Sequence, residues 1–384
     1  MEYKADEKEG FELAQAMART GDWPPVGKMS GVGVVDPGLS LWIFGILAKV
    51  SGAAGPISLT RAVQLLNVFS ILAFFALIWK WLLAEDREPW LWSAALLSVS
   101  PYSVLYSRKI WEPNVVPPFF LLTLAGFLHR GTFFGAIAYG LFGALIGQIH
   151  MSGFFLSLGL LIWIALFDRR SLNWLGWFAG SVVGALPLLP WIAYVLREPG
   201  PAEGWLWPNI RHLLFYRQWF KLGFGIGLDY PLGTQMDEFL RTPMFGTNTY
   251  AGKALVTGTW ILLAIFVAFV AAGYLRKWDR VAFRDWTSTE LFTNGVFFGM
   301  GGLFTIAGFL IFPHYLNIIL PVLFLWIASL AIRFVPKPTV FLASLWLVQL
   351  SLSALFLVDI HKNCGAPGGD YGTSFRCQAT PGAR

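Results

Sequence analysis

Residues 2–20 place Glu2, Asp6, Glu7, Glu9 and Glu12 ahead of, or among, the apolar and small residues Phe11, Leu13, Ala14, Met17 and Ala18. Glu2, Asp6 and Glu9 stand at i, i+4 and i+7, so a helix over this stretch gathers carboxylates on one face. Gly21 and Pro24-Pro25 supply its stop. Two readings are open. The helix is either a solvated amphipathic element on a membrane surface, or the support for a general base that takes a proton from an attacking hydroxyl or amine. Arg108 and Glu112 lie one helical turn apart. They either pair with each other, worth about 0.3–0.5 kcal/mol, or Arg108 with Lys109 grips a phosphate while Glu112 orients a basic group or a substrate. A guanidinium suits phosphate because it offers two parallel hydrogen bonds. Arg61 either serves the same phosphate or snorkels. His150, and His314 beside Tyr315, fit interfacial packing as well as hydrogen bonds to hydroxyls or phosphate. Cys364 and Cys377 form one bridge or remain two thiols. No spacing asserts a bound metal, and neither an HExxH pair nor a glycine-rich phosphate loop is present.

Composition says what must position these residues. The 384-residue chain is 56% hydrophobic, 17% aromatic and 13% charged, where soluble domains are about a quarter charged. Apolar runs long enough to cross a bilayer recur along it. An all-α polytopic membrane protein is therefore expected. A cytosolic enzyme, a nucleic-acid-binding domain and a disulfide-built scaffold are excluded. The net charge of +6 reports orientation, since basic residues are retained on the cytoplasmic side. Spans are expected at 60–84, 88–107, 113–128, 132–149, 152–168, 172–196, 254–276, 291–312, 315–334 and 338–358, about ten in all, with 36–56 as an interfacial or re-entrant helix.

Lys80, Arg87, Arg130, Arg169, Arg170, Arg276, Lys277, Arg280, Arg284, Arg333 and Lys337 fall in alternate loops, which assigns those loops to the cytoplasm. The organisation that follows is an outer acidic segment (1–56), six spans (57–196), an outer loop (197–253), four spans (254–358) and an outer tail (359–384). The outer loop is rich in Trp205, Trp207, Tyr216, Trp219, Tyr230 and Tyr250, interleaved with Arg211, Arg217, Lys221 and Arg241. The polar N-terminal segment lies outside with no span before it. Either the first long span translocates it or an upstream helix precedes residue 1, and the second reading is favoured.

These residues carry a resemblance. Tyr3-Lys4-Ala5-Asp6-Glu7, Ala14 and Gly21-Asp22-Trp23 resemble the first extracytoplasmic loop of the GT-C glycosyltransferases, in the branch that includes protein O-mannosyltransferases and the aminoarabinose transferase of lipid A. Where that family has a His-Pro-Pro-Leu-like run, this chain has Asp36-Pro37-Gly38-Leu39. Ser100-Pro101, Tyr106-Ser107-Arg108 and Glu112 resemble the second outer loop. His314-Tyr315 ahead of Pro321 is similar to a late span, and Gly369-Asp370-Tyr371-Gly372 is similar to family tails. The likeness runs over nearly the whole chain and lacks only the first helix. Its specificity lies in the order of the motifs and their shared sidedness.

The resemblance implies a multi-pass enzyme of a bacterial plasma membrane, with its active face outside. It would pass a sugar from a polyprenyl-phosphate donor to a lipid, polysaccharide or protein acceptor by inverting displacement. In that scheme Asp6 is the base and Glu7 positions the helix or the acceptor. Arg108, Lys109 and Arg61 hold the lipid phosphate, and Glu112, His150, His314 and Tyr315 contact the substrates. No cofactor is required; a divalent cation at Asp6 and Glu7 is compatible with the superfamily but not indicated here. No nucleic-acid partner is implied. The alternatives are an inactive GT-C-like subunit and a transporter or lipid flippase. Transporters favour ionisable groups at mid-membrane and repeated halves, and these expected spans are poor in central charge.

Overall fold

The computed structural model describes residues 1–30, 35–52, 54–198, 213–243, 250–276, 286–308 and 310–378. The acidic segment folds as expected into α1 (Ala5–Thr20), and Gly21 ends it with φ 77° while its N–H bonds Met17 O at 2.9 Å. Glu7 reaches back to the Lys4 N–H at 2.9 Å, closing the first turn where a carboxylate also suits the helix dipole. Phe11, Ala14 and Met17 bury the apolar face against α2 (Leu39–Val50). Between them β1 (Val26–Met29) and β2 (Val35–Pro37) form a small antiparallel ribbon.

The body of the molecule is helical. Its next elements are α3 (Pro56–Trp81), α4 (Arg87–Val99), α5 (Pro101–Tyr106), α6 (Pro117–Leu128), α7 (Phe133–Ile149), α8 (Ser152–Phe167), α9 (Trp174–Ala185) and α10 (Leu189–Arg197). Beyond residue 212 come α11 (Leu214–Phe224), α12 (Asp229–Leu232), α13 (Met236–Leu240), α14 (Ala251–Arg276), α15 (Ser288–Asn294), a π-helical turn (Gly295–Met300) and α16 (Gly301–Ala307). The chain closes with α17 (Leu320–Phe334), α18 (Pro338–Lys362), the two-residue ribbon β3 (Gly365–Ala366) and β4 (Gly372–Thr373), and α19 (Phe375–Gln378).

Among the described residues five helical segments are long and apolar enough to cross a membrane: Pro56–Trp81, Trp174–Arg197, Ala251–Arg276, Pro313–Phe334 and Pro338–Lys362. Several of the other expected spans are shorter, whereas the one at 291–312 falls on a continuous helical run made of α15, the π-helical turn and α16 (Ser288–Ala307) that is not among the five. At about 1.5 Å per residue, α6 with 12 residues and α8 with 16 fall short of a hydrocarbon core about 30 Å thick. The stretch 88–107 breaks at Pro101, whose ring cannot continue the α4 hydrogen-bond ladder. Apolar side chains lie exposed along the long helices, among them Leu65, Phe69 and Leu72 on α3, Phe178 and Val182 on α9, and Trp260 and Ile265 on α14. Large apolar surface of this kind requires a partner other than water, and a bilayer is one. Among the described residues, ion pairs in the connections mark two polar groups. One joins Arg130 to Asp168 at 2.6 Å and Arg333 to Glu290 at 3.3 Å; the other is the candidate site.

Glycine packs α9 against α7. Gly176, Gly180 and Gly184 repeat every fourth residue on α9, and a Cβ on each would run into the backbone carbonyl of Phe133, Ile137 or Leu141. Small residues at this spacing let two helices touch backbone to backbone. Gly180→Leu is therefore expected to cost about 1–3 kcal/mol through overpacking. The measurement is the thermal loss of helical circular dichroism in detergent, and a midpoint equal to that of the wild type would contradict this packing argument.

Candidate functional site

Segments far apart in sequence converge at one end of the helical body. The turn after α5 supplies Arg108, Lys109, Trp111 and Glu112. It is pinned by Asn114, whose amide donates to Lys109 O at 2.9 Å and whose carbonyl accepts from Asn67 at 2.9 Å. Lys109, 2% exposed, lies 2.7 Å from Glu2 and 3.4 Å from Asp370. Lys4 joins the same cluster at 3.6 Å from Glu2 and 3.5 Å from Asp370. Burial pushes the Glu2 carboxyl well above the usual carboxylate range, against the opposing pull of Lys109.

A second buried pair stands nearby. Lys28 Nζ lies 3.0 Å from Glu112 and donates to the Asp6 carbonyl at 3.2 Å. Asp36 is close to both, and burial, helped by Glu112 and opposed by Lys28, raises its carboxyl to about 8. Desolvation, the largest single effect, pulls the Lys28 ammonium down, but the attraction and hydrogen bond of Glu112 with the charges of Asp6 and Glu7 together push it above its ordinary value, so Lys28 stays charged.

Aromatic and imidazole rings join the two clusters. Lys109 Nζ sits 4.7 Å over the Trp111 ring, Trp111 contacts His314 at 4.5 Å, and His314 meets Tyr315 edge-on at 4.5 Å. His150 lies 5.7 Å from Tyr315 and 6.4 Å from His314, centroid to centroid. Burial pushes the His150 imidazole down to about 4, and its Nδ1 is 2.6 Å from Ser152 Oγ. His314 Nδ1 is buried and has no hydrogen-bond partner among the described residues. A neutral imidazole facing other rings can accept or pass a hydrogen bond but adds no charge.

The C-terminal tail closes the site. Cys364 and Cys377 are disulfide-bonded. The tail so tied pairs with the N-terminus through the Glu2–Ser374 bridge, the Phe375 N–H to Met1 O bond of 2.9 Å and the Gln378 amide to Tyr3 O bond of 2.7 Å. Asp370 is thereby delivered to Lys109 and Lys4.

Lys109, Glu112, His150, His314 and Tyr315 are thus brought together, with Glu7 buried at the edge through its cap on Lys4. The Arg108–Glu112 pairing does not form. The helix ends at Tyr106, so the i, i+4 relation is lost and Glu112 turns to Lys28. Nor do Glu2, Asp6 and Glu9 share a face. Glu2 precedes α1 and is buried, whereas Asp6 and Glu9 are exposed. Arg108 is half-buried and has no carboxylate within ion-pair distance among the described residues, and Arg61 is exposed near the start of α3.

The aromatic segment 197–253, expected as an outer loop, is in part core. Trp219 packs on Phe297 and Trp326 inside the helical body, while Trp205, Trp207 and Arg211 lie outside the described residues. Sequence reasoning missed Lys28, the pairing roles of Glu2 and Asp370, and Asn114 as the pin of the turn. The one local signal was Lys28 itself, a lone cation in a short extended stretch. Among the described residues no group of three or more His, Cys, Asp or Glu is placed to hold a metal ion.

Long apolar helices with a polar, ion-paired cluster at one end define a helical protein of membrane-embedded type. No protein family, curated protein or solved structure matches the chain.

Proposed function

We propose that the chain is an integral-membrane glycosyltransferase of the GT-C kind, transferring a sugar from a polyprenyl-phosphate donor to an extracytoplasmic acceptor by inverting displacement. The observation that carries the reading is an apolar groove of about 390 Å³ leading toward the turn that bears Arg108. Its walls include Phe74 from α3, Leu97 from α4, Phe120 and Leu121 from α6 and Ile318, with Ser103 and Ser107 on the side of that turn. Such walls suit a prenyl chain, and the neighbouring Arg108, free of a carboxylate within ion-pair distance among the described residues, is suited to a phosphate.

In this reading Asp6 takes the acceptor proton, since it is exposed to an incoming hydroxyl whereas Glu7 is committed to its cap. Arg108 stabilises the charge that develops on the departing lipid phosphate. The histidine and tyrosine rings offer hydrogen bonds to sugar hydroxyls.

The test is mass spectrometry of purified wild type, Asp6→Asn and Arg108→Ala incubated with a panel of polyprenyl-phosphate sugars. Wild type is expected to consume a donor, and Asp6→Asn to retain it intact. Arg108→Ala is expected to bind it about tenfold more weakly, as loss of a charged hydrogen bond predicts. An Asp6→Asn protein as active as wild type removes the base assignment. Donor bound by every form and consumed by none replaces the enzyme with an inactive relative.

A further inference from the structure

Beside the ion-paired cluster, and outside the groove, lies a cleft of about 510 Å³, within the roughly 300–1,000 Å³ range of small-molecule sites. Gln218, Lys221, Asp229, Tyr230 and Asp370 line it, over a floor of glycine backbone that includes Gly369. The tail and the 227–233 segment are held together here. The Asp370 N–H donates to Tyr230 O and the Tyr371 N–H to Pro231 O, both at 3.0 Å, and the Tyr230 hydroxyl bonds the Asp370 carboxylate. The Gln218 side-chain nitrogen donates to Ile311 O at 3.4 Å, while its Oε1 is buried and unpartnered among the described residues. A buried amide oxygen of this kind calls for a donor.

The charges select the ligand. Lys221 is bonded by both carboxylate oxygens of Asp229, at 3.3 and 3.0 Å, so it offers little to an anion. Asp370 and Asp229 would repel one. An apolar molecule would strand the polar lining. What remains matches a neutral polyol: hydroxyls to donate to Gln218 Oε1 and the two carboxylates, and the half-buried Tyr230 ring as a face for C–H groups.

We propose that this cleft binds a neutral hexose unit and, on the glycosyltransferase reading, seats a saccharide acceptor. Its inner wall is Asp370, whose other contacts are Lys4 and Lys109, so a sugar held there stands against the buried cluster.

The experiment is saturation-transfer NMR on the full chain in detergent, without donor, using methyl α-glucoside, methyl α-mannoside, N-acetylglucosamine and inorganic phosphate as probes. Wild type is expected to bind at least one of the three sugars. Gln218→Ala and Tyr230→Ala, each checked for fold by circular dichroism, are expected to weaken binding at least about fivefold. Glu85→Gln, exposed in the turn that precedes α4 and apart from the cleft, is expected to leave it unchanged. Absence of sugar binding, equal binding by both cleft variants, or preference for phosphate overturns the proposal. Donor consumption is read separately. A chain that consumes donor but binds no sugar here loses the cleft and keeps the enzyme; one that binds sugar but consumes no donor keeps the cleft and loses the enzyme.

Discussion

Lys109→Met is expected to destabilise the protein by about 3–5 kcal/mol, because it removes the cation from a buried ion cluster and leaves its carboxylates in place. Methionine keeps an unbranched apolar stem, so lost volume contributes little. The loss is electrostatic. Glu2, 1% exposed, has Lys109 at 2.7 Å and Lys4 only at 3.6 Å, and Lys4 is itself a third exposed. The variant can limit the damage by protonating Glu2, whose carboxyl burial already raises.

That sets the sign of its pH response. A carboxyl raised in the folded state binds a proton that the unfolded chain does not, so its contribution is present below the unfolded value and is lost as pH rises through the folded one. Stability of Lys109→Met is therefore expected to fall more steeply with rising pH than that of wild type. Adding Glu2→Gln removes the stranded charge, and the double variant is expected to recover at least about 1–2 kcal/mol, within the range of coupled neighbours. Denaturant unfolding of the four proteins in detergent measures this, and simple additivity of the two substitutions would show that the pair is not coupled.

How far this was legible depends on the range of each interaction. α1 could be read because its signals are local: a carboxylate at the third position of the first turn, an apolar stripe, and a glycine that adopts φ 77°. The long apolar helices could be read for the same reason, since a run such as Pro56–Trp81 carries its own length and hydropathy. The shorter helices were located but not sorted by length: α7 and α8 fill the expected stretches 132–149 and 152–168 almost end to end, yet with 17 and 16 residues they are shorter than the five long apolar helices. An apolar run does not reveal whether it is buried against protein or lipid, and α6, α7 and α8 spend part of their apolar surface on neighbours.

The candidate site was legible as a set of residues but not as a set of pairs. Lys109 and Glu112 could be marked as outward-facing charges, yet their partners lie 107 and 84 positions earlier, at Glu2 and Lys28, and at Asp370 in the tail. Only the folded chain makes those pairs. The reading that paired Glu112 with Arg108 gave it the wrong partner because α5 ends at Tyr106 and the backbone is extended at Trp111, so 108 and 112 do not share a helical turn. The cysteine bridge could be proposed from shared sidedness, but not its consequence, the binding of the tail to residues 1–3.

Lys28→Met strikes the second buried pair. Lys28 and Glu112 are each 7% exposed at the side chain and 3.0 Å apart, and Asp36 stands close enough for Glu112 to raise its carboxyl and Lys28 to lower it. At pH 7 the folded protein therefore holds Lys28 charged and Asp36 protonated, with its carboxyl at about 8. Losing Lys28 leaves two carboxyl groups enclosed with no cation bonded to them, and the expected cost is again about 3–5 kcal/mol.

Asp36 supplies the separate check. Its folded value lies above its unfolded value of 3.8, so between those two values the native state holds a proton that the unfolded chain has released. Stability therefore falls as pH rises through that window and levels off above about 8. Asp36→Asn is expected to flatten the slope. It should be close to wild type near pH 5 and about 1–3 kcal/mol more stable near pH 9, a figure discounted because the carboxyl retains some contact with water. In Lys28→Met the carboxyl loses the charge that held it down, so the slope should steepen and extend to higher pH. Thermal midpoints of the three proteins from pH 5 to 9 decide the matter. Parallel curves for wild type and Asp36→Asn would mean that Asp36 is ionised across the whole range, and the buried cluster would then carry a second negative charge against a single lysine.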